Sequence, residues 1–440
     1  MKQQSSLRPQ EVLTDLYIGL LLTVFLLWPG RGGYAAIQQS KTSLCNTLTM
    51  GYLFLMVLLT AETLLIGRLK WQGLRKPTAT QKLILLYWGI TALSTLLSDH
   101  RIYAIRGISR DEGLLTITLY CAAFLCVSAF ARPKEWMGWL LGGSMTVFDL
   151  ICLLQLAGRN PLGLFPEGLT YYDANVRFAG VYLGPSGNIG LTGAICCLAV
   201  PVLIGVALCG RGKGRWLCLI PAAMSLWIVV HTRIQASMMG LGLGLLLGSP
   251  MLLPKGSKGR KVCMVLAAAA LVIGLVLVYH FPGDYGALYE LRRIMHGDWD
   301  PMMGNGRIHI WKEVLARVPD HLWLGTGPDT MAAYGIEGHS WLPSGSSEAV
   351  QMGIDVAHNE YLNILFHQGV LGLTAYMAAL LRSAIGWIRS DNRWAAILGT
   401  GILCYSIQIF FSFSMHIAAA FFWLLWALLE NQCAIREEEK

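Results

Sequence analysis

Residues 187–209 read GNIGLTGAICCLAVPVLIGVALC, with no charged side chain among them. A helix needs about 20 mostly apolar residues to cross a hydrocarbon layer about 30 Å thick. This stretch is long and apolar enough to do so. Eleven similar stretches surround it. They centre on residues 13–29, 44–66, 82–98, 114–131, 136–157, 216–231, 236–253, 262–280, 360–381, 394–413 and 416–430. The turns within the pairs 216–253 and 394–430 are the shortest. The composition agrees, with 55% hydrophobic residues, 14% charged residues and a mean hydropathy of +0.51. A soluble domain carries about 25% charged residues. The pattern therefore predicts an all-α, polytopic membrane protein with about 12 transmembrane helices.

The net charge of +8 does not point to nucleic acid. Its basic residues fall in short clusters between apolar runs, as they do in loops between membrane helices. The 11 cysteines are an odd number, and nearly all lie inside apolar runs. They read as small packing residues rather than a disulfide framework or a metal set. The first run, Leu13–Trp28, reads as an uncleaved helix, because Glu11 and Asp15 flank it and many like it follow.

Lysine and arginine set the orientation. With the N-terminus in the cytoplasm, 10 of the 12 Lys residues fall inside. Eleven Arg residues and all ten His residues fall on the outer side or at outer helix ends. Arginine offers a planar fork of donors suited to phosphate oxygens. The chain then divides into N-terminal helices with short outer loops (1–280), a long extracytoplasmic loop containing short helices (281–357), and C-terminal helices with a cytoplasmic tail (358–440).

A loop of this length is usually functional when it is not disordered. Its four Trp residues, Trp299, Trp311, Trp323 and Trp341, argue for order. Gly306–Val318 reads as an amphipathic helix with Ile308, Trp311, Leu315 and Val318 on one face. Asn305 is its expected cap, which puts Arg307 beside free backbone amides, a favourable place for phosphate. At the loop's end, Asp355 is the expected cap of the next helix, with His358 in its first turn. The positive helix end would keep that imidazole neutral and able to accept a proton. The His spacings match no zinc pattern. The shorter outer loops carry Arg110 with Asp111 and Glu112, then Arg159 and Arg177, then Arg233 beside Gln235. Ser186 or Asn188 caps the helix after 187.

Two runs resemble the signature of the O-antigen ligase and polymerase superfamily. They are GNGRIHIWKEVLARVPDHLWLGTGPD at 304–329 and DVAHNEYLNILFHQGVLGL at 355–373. Three upstream pieces resemble the family in the same order: RDEGLL at 110–115, GPSGNIGLTGA at 184–194 and HTRIQASMMGLGLG at 231–244. The resemblance implies transfer of a glycan from undecaprenyl-pyrophosphate to an acceptor hydroxyl, outside the bacterial plasma membrane and with no cofactor. The acceptor would be a glycan, lipid or protein, and the other partners membrane lipids. By resemblance His358 is the catalytic base, Arg307 a pyrophosphate contact, and Arg110 and Asn359 further substrate contacts. The family's second Arg aligns with Gln235, so Arg233, two residues earlier, and Arg177 are the candidates for that contact. A repeat-unit polymerase uses the same donor. A transporter or flippase of lipid-linked sugars is the alternative from another class, although few mid-span charges (Glu62, Asp149) and no inverted repeat support it.

Overall fold

The computed structural model describes residues 8–66, 76–173, 182–341 and 350–438. Each of the twelve apolar stretches forms a helix. In chain order the helices are α1 (Arg8–Leu20, continued by a π turn), α2 (Ile37–Leu65), α3 (Ala79–Leu97), a short α4 (Arg101–Arg106), α5 (Leu114–Phe130), α6 (Glu135–Leu156), α7 (Ile189–Cys209), α8 (Leu219–His231), α9 (Gln235–Gly248) and α10 (Lys258–Tyr279). The long loop carries α11 (Ala287–Met295), α12 (Met303–Arg317) and a two-stranded antiparallel hairpin, β1 (Glu337–Trp341) and β2 (Val350–Gly353). The chain then returns through α13 (Glu360–Arg389), α14 (Arg393–Gln408) and α15 (His416–Glu438). Eight helices of the described residues are long and apolar enough to cross a membrane, and α5 is apolar but shorter. The chain is an all-α polytopic membrane protein.

The sequence explains how these helices pack. Gly240, Gly244 and Gly248 form a stripe on α9. A Cβ at these positions would meet Gln408, Cys404 and Thr400 of α14 in turn. Small residues at this spacing let two backbones approach closely. The pairing runs antiparallel, so the turn before Gln235 lies at the same end of the bundle as Ser412 and Phe413. Helix α7 is nearly all buried. Asn188 caps it, accepting from Gly190 N at 2.7 Å and Leu191 N at 3.3 Å, as expected. All eleven cysteines are free.

At one end of the bundle Glu135 pairs with Arg393, and Lys255 with Asp391 at 3.8 Å. At the other, the long loop packs on the connections that follow α3 and precede α5. That loop has a small core of its own, in which Ile310, Val314, Met331, Ile336 and Ile354 meet Leu362 and Phe366 of α13. The face expected of α12 holds at Ile308 and Val318, which are buried, and fails at Leu315. Leu315 is 50% exposed, while Ile310 and Val314 are buried. The buried surface is wider than the one expected stripe because α12 packs against both α13 and β1.

Helix α13 is broken. Gly369 has φ 68 and ψ −172, and the loop segment 322–327 fills the gap. Thr326 N donates to Phe366 O at 3.0 Å and Gly327 N to His367 O at 2.9 Å. Val370 N donates to Leu322 O at 2.8 Å. Ser94 and Ser98 of the α3 end add bonds to His367 O (2.8 Å) and Thr326 O (2.6 Å). Backbone groups freed by a helix break at membrane depth must find partners in protein. Here the long loop supplies them, which anchors it to the bundle.

Candidate functional site

Three successive left-handed residues, Gly304, Asn305 and Gly306, have φ of 63, 58 and 80 and lead into the regular part of α12. Glycine adopts this conformation freely and Asn tolerates it. Asn305 is therefore not the expected cap, which would be extended. The turn folds the Arg307 side chain back, so that Nη1 donates to Gly304 O at 3.0 Å. Its Nε is buried with no protein partner. Burial pulls the guanidinium below its usual value, against the opposing pull of Glu290.

One turn on, Trp311 Nε1 donates to Ala357 O at 2.9 Å. Residues four apart share a helix face, so this bond brings Arg307 and His358 into one neighbourhood. His358 is half-buried with φ 49. That conformation is uncommon for a non-glycine residue and is held only where the surroundings impose it. The expected Asp355 cap is corrected here. Asn359 caps α13, accepting from Leu362 N at 3.1 Å, so His358 lies just before the helix and not in its first turn. Asn359 is buried, and its amide oxygen accepts from Leu362 N.

Asp355 instead pairs with Arg110 at 2.7 Å. Arg110 lies over the ring of Phe413 at 4.6 Å, and His358 meets the same ring edge-on at 5.5 Å. Burial pulls the His358 imidazole down to about 4. The charges of Arg307 and Arg110 add to this and Asp355 opposes it. The imidazole is thus neutral at ordinary pH. The helix end is not the main cause, as the first turn begins only after Asn359.

Arg110 is positioned from below by Asp329. This carboxylate accepts from Ser109 Oγ at 2.8 Å, Arg110 N at 2.9 Å, and the amides of Ser109 and Glu112 at 3.3 Å. The GTGPD and RDEGLL pieces therefore form one unit. Asp329, Asp355 as an ion-pair partner, Trp311 as a brace and Phe413 as a shared platform carried no local signal of these roles, although the first three lie in the quoted runs.

Arg233 and Gln235 are exposed in the turn between α8 and α9, with Arg233 at φ 53. They share the bundle end with Phe413, but no described contact joins them to the His358 cluster. Arg177 lies outside the described residues. The structure thus brings together Arg307, His358, Asn359 and Arg110, while Arg233 and Gln235 stand apart from them.

A polytopic helical bundle that braces a neutral His between two Arg residues at one end has the composition of an anion-handling transfer site. Residues 220–377 match the O-antigen ligase family model, which places that segment in the O-antigen ligase superfamily. No curated protein matches the chain as a relative. The chain as a whole is a polytopic membrane protein, and its segment 220–377 is similar to O-antigen ligases. The match holds Arg307, Asp329, Asp355 and His358, while Arg110 and Phe413 join the site from outside it.

Proposed function

We propose that the protein is a glycosyltransferase that moves a glycan from undecaprenyl-pyrophosphate to an acceptor hydroxyl on the outer face of the plasma membrane. The observation that carries this reading is the placement of a neutral His358 beside Arg307 and Arg110. The acceptor oxygen attacks the anomeric carbon as the bond from that carbon to the pyrophosphate oxygen breaks. The acceptor's proton passes to the His358 imidazole, which accepts it because it is uncharged. The departing pyrophosphate gains negative charge, and fixed guanidinium donors stabilise it without having to reorganise.

Arg307 is the first pyrophosphate contact in this reading, since its Nε has no protein partner. Arg233 is the nearest candidate for the second, because its turn lies at the same bundle end. Arg110, being paired with Asp355, acts more through His358 than on the donor. The 10:2 division of Lys supports an outward-facing site.

The test uses the purified full-length protein, an undecaprenyl-pyrophosphate-linked oligosaccharide and a panel of sugar, lipid and peptide acceptors. Release of undecaprenyl pyrophosphate together with a glycosylated acceptor supports a ligase. Release with lengthening of the donor glycan supports a repeat-unit polymerase. Transport of intact donor between leaflets, with no release, would overturn the reading.

A further inference from the structure

Behind the Arg110–Asp355 pair lies a cavity of about 70 Å³ that leads back to the break in α13. Its mouth is at the protein surface, where the Arg110 and Asp355 side chains are 25% and 37% exposed. Its inner end is deep, where Gln368 is 3% exposed. Three atoms of the lining residues are buried without any protein partner: Arg110 Nε, His367 Nε2 and Gln368 Oε1. Unpaired buried polar atoms are costly, and native proteins hold few of them. The opposite wall is apolar and aromatic, with Ile117 and Trp423.

The lining selects among ligand classes. An anion would face the carboxyl groups of Glu112 and Glu360. A metal cation finds no group of three suitable ligands among the described residues, and Arg110 stands at the mouth. An apolar group would leave all three polar atoms unpaired. A neutral hydroxyl both donates and accepts, so at the inner end it can donate to Gln368 Oε1, which has no protein partner. Convergent polar groups against an aromatic wall are the usual make-up of a small-molecule pocket. The volume suits a few water-sized groups, which is an arm of a sugar and not a whole oligosaccharide.

We propose that this cavity is a subsite for a neutral hydroxyl-bearing arm, of the size of a hexose hydroxymethyl group, on the acceptor sugar. The mouth adjoins the catalytic base, because Arg110 and His358 share the Phe413 ring. An arm seated behind Arg110 would hold the rest of its sugar ring at the His358 side. The subsite rests on the transferase reading for its part in the reaction, and not for its binding of a sugar.

Saturation-transfer NMR on the full chain in detergent tests this, with D-glucose and D-xylose as probes. Xylose lacks the hydroxymethyl arm. Transfer is expected to be strongest at the C6 protons of glucose and at least about fivefold weaker for xylose. Gln368→Leu and Ile117→Phe should each reduce the glucose signal at least about fivefold, with thermal melting confirming the fold of each variant. Gln368→Leu removes an unpaired buried oxygen, so it should fold as well as the parent. No glucose signal in the parent, equal signals for the two sugars, or an unchanged signal in both folded variants would overturn the subsite. A transfer assay separates the two ideas. Glucose binding by the parent with no transfer from a lipid-linked donor would defeat the transferase reading and leave the subsite standing. Lost activity in His358→Ala together with no glucose binding by the parent would do the reverse.

Discussion

The indole of Trp311 holds the carbonyl of Ala357 at 2.9 Å, one residue before His358. This bond joins the helix that carries Arg307 to the segment that carries His358. Trp311→Phe keeps a smaller aromatic ring and removes the donor. A hydrogen bond of this kind is worth about 1 kcal/mol, which corresponds to about a fivefold change in rate if it is expressed in the transition state. The expected outcome is a several-fold fall in kcat with little change in the donor KM, measured by steady-state kinetics. An equal loss in both constants would point to a role in donor binding instead.

The pH dependence should be unusual for a His base. The imidazole is held at about 4, so its neutral, active form persists as pH falls and is lost only through about 4. An unperturbed His would fail near 6.5. The acidic limb of kcat/KM should therefore lie near pH 4. Arg110→Gln removes a nearby positive charge and unpairs Asp355, and both changes favour the imidazolium. The limb should then move up toward the ordinary His range. A limb that stays in place would show that burial alone sets the value.

Asp329 should matter as much as the residues it supports. Asp329→Ala removes the acceptor for four donors that shape the 109–112 turn. Hydrogen bonds to a charged group are each worth about 1.5–3 kcal/mol. The variant is expected to lose at least about 2 kcal/mol of stability, read as a lower melting temperature, and to lose activity alongside Arg110 variants. A double variant with Arg110→Gln should be no worse in activity than the poorer single variant, because the two changes act through one unit.

The break in α13 predicts a sharp contrast between two glycines. A Cβ at Gly369 would collide with the Trp323 backbone, at a φ of 68 that side chains rarely adopt. Gly369→Ala should cost about 3 kcal/mol or more from strain and overpacking together. Gly89 on α3 has open space around its Cβ position, so Gly89→Ala should be neutral or mildly stabilising. Melting of both proteins in the same detergent checks the pair. Protease cleavage within 322–327 should rise in Gly369→Ala alone.

The helices were legible because lipid demands long apolar runs, and each of the twelve runs became a helix. The Asn188 cap was legible because its signal is local. The site was only half legible. His358 and Arg307 stood out from their places near helix starts and from a resemblance, but their proximity depends on Trp311 reaching a residue far along the chain. The Arg110–Asp355 pair joins residues from distant segments, which no periodicity encodes. Asp355 and Asn359 both look like caps in sequence, and the demand of Arg110 for a carboxylate separates them. Leu315 was placed on the wrong face because α12 has two neighbours, and a one-sided pattern cannot anticipate the second. The break at Gly369 sits in HQGVLGL, where one glycine in an apolar helix gives little warning.

The central claim is that His358 is the base of a glycosyl transfer from a pyrophosphate-linked lipid. The most direct measurement is single-turnover release of undecaprenyl pyrophosphate by purified His358→Ala, with donor binding measured in parallel. The account predicts that release falls at least about a hundredfold, as expected for loss of a general base, while donor binding changes by less than about threefold. Release within twofold of the parent protein, at equal donor occupancy, would contradict it.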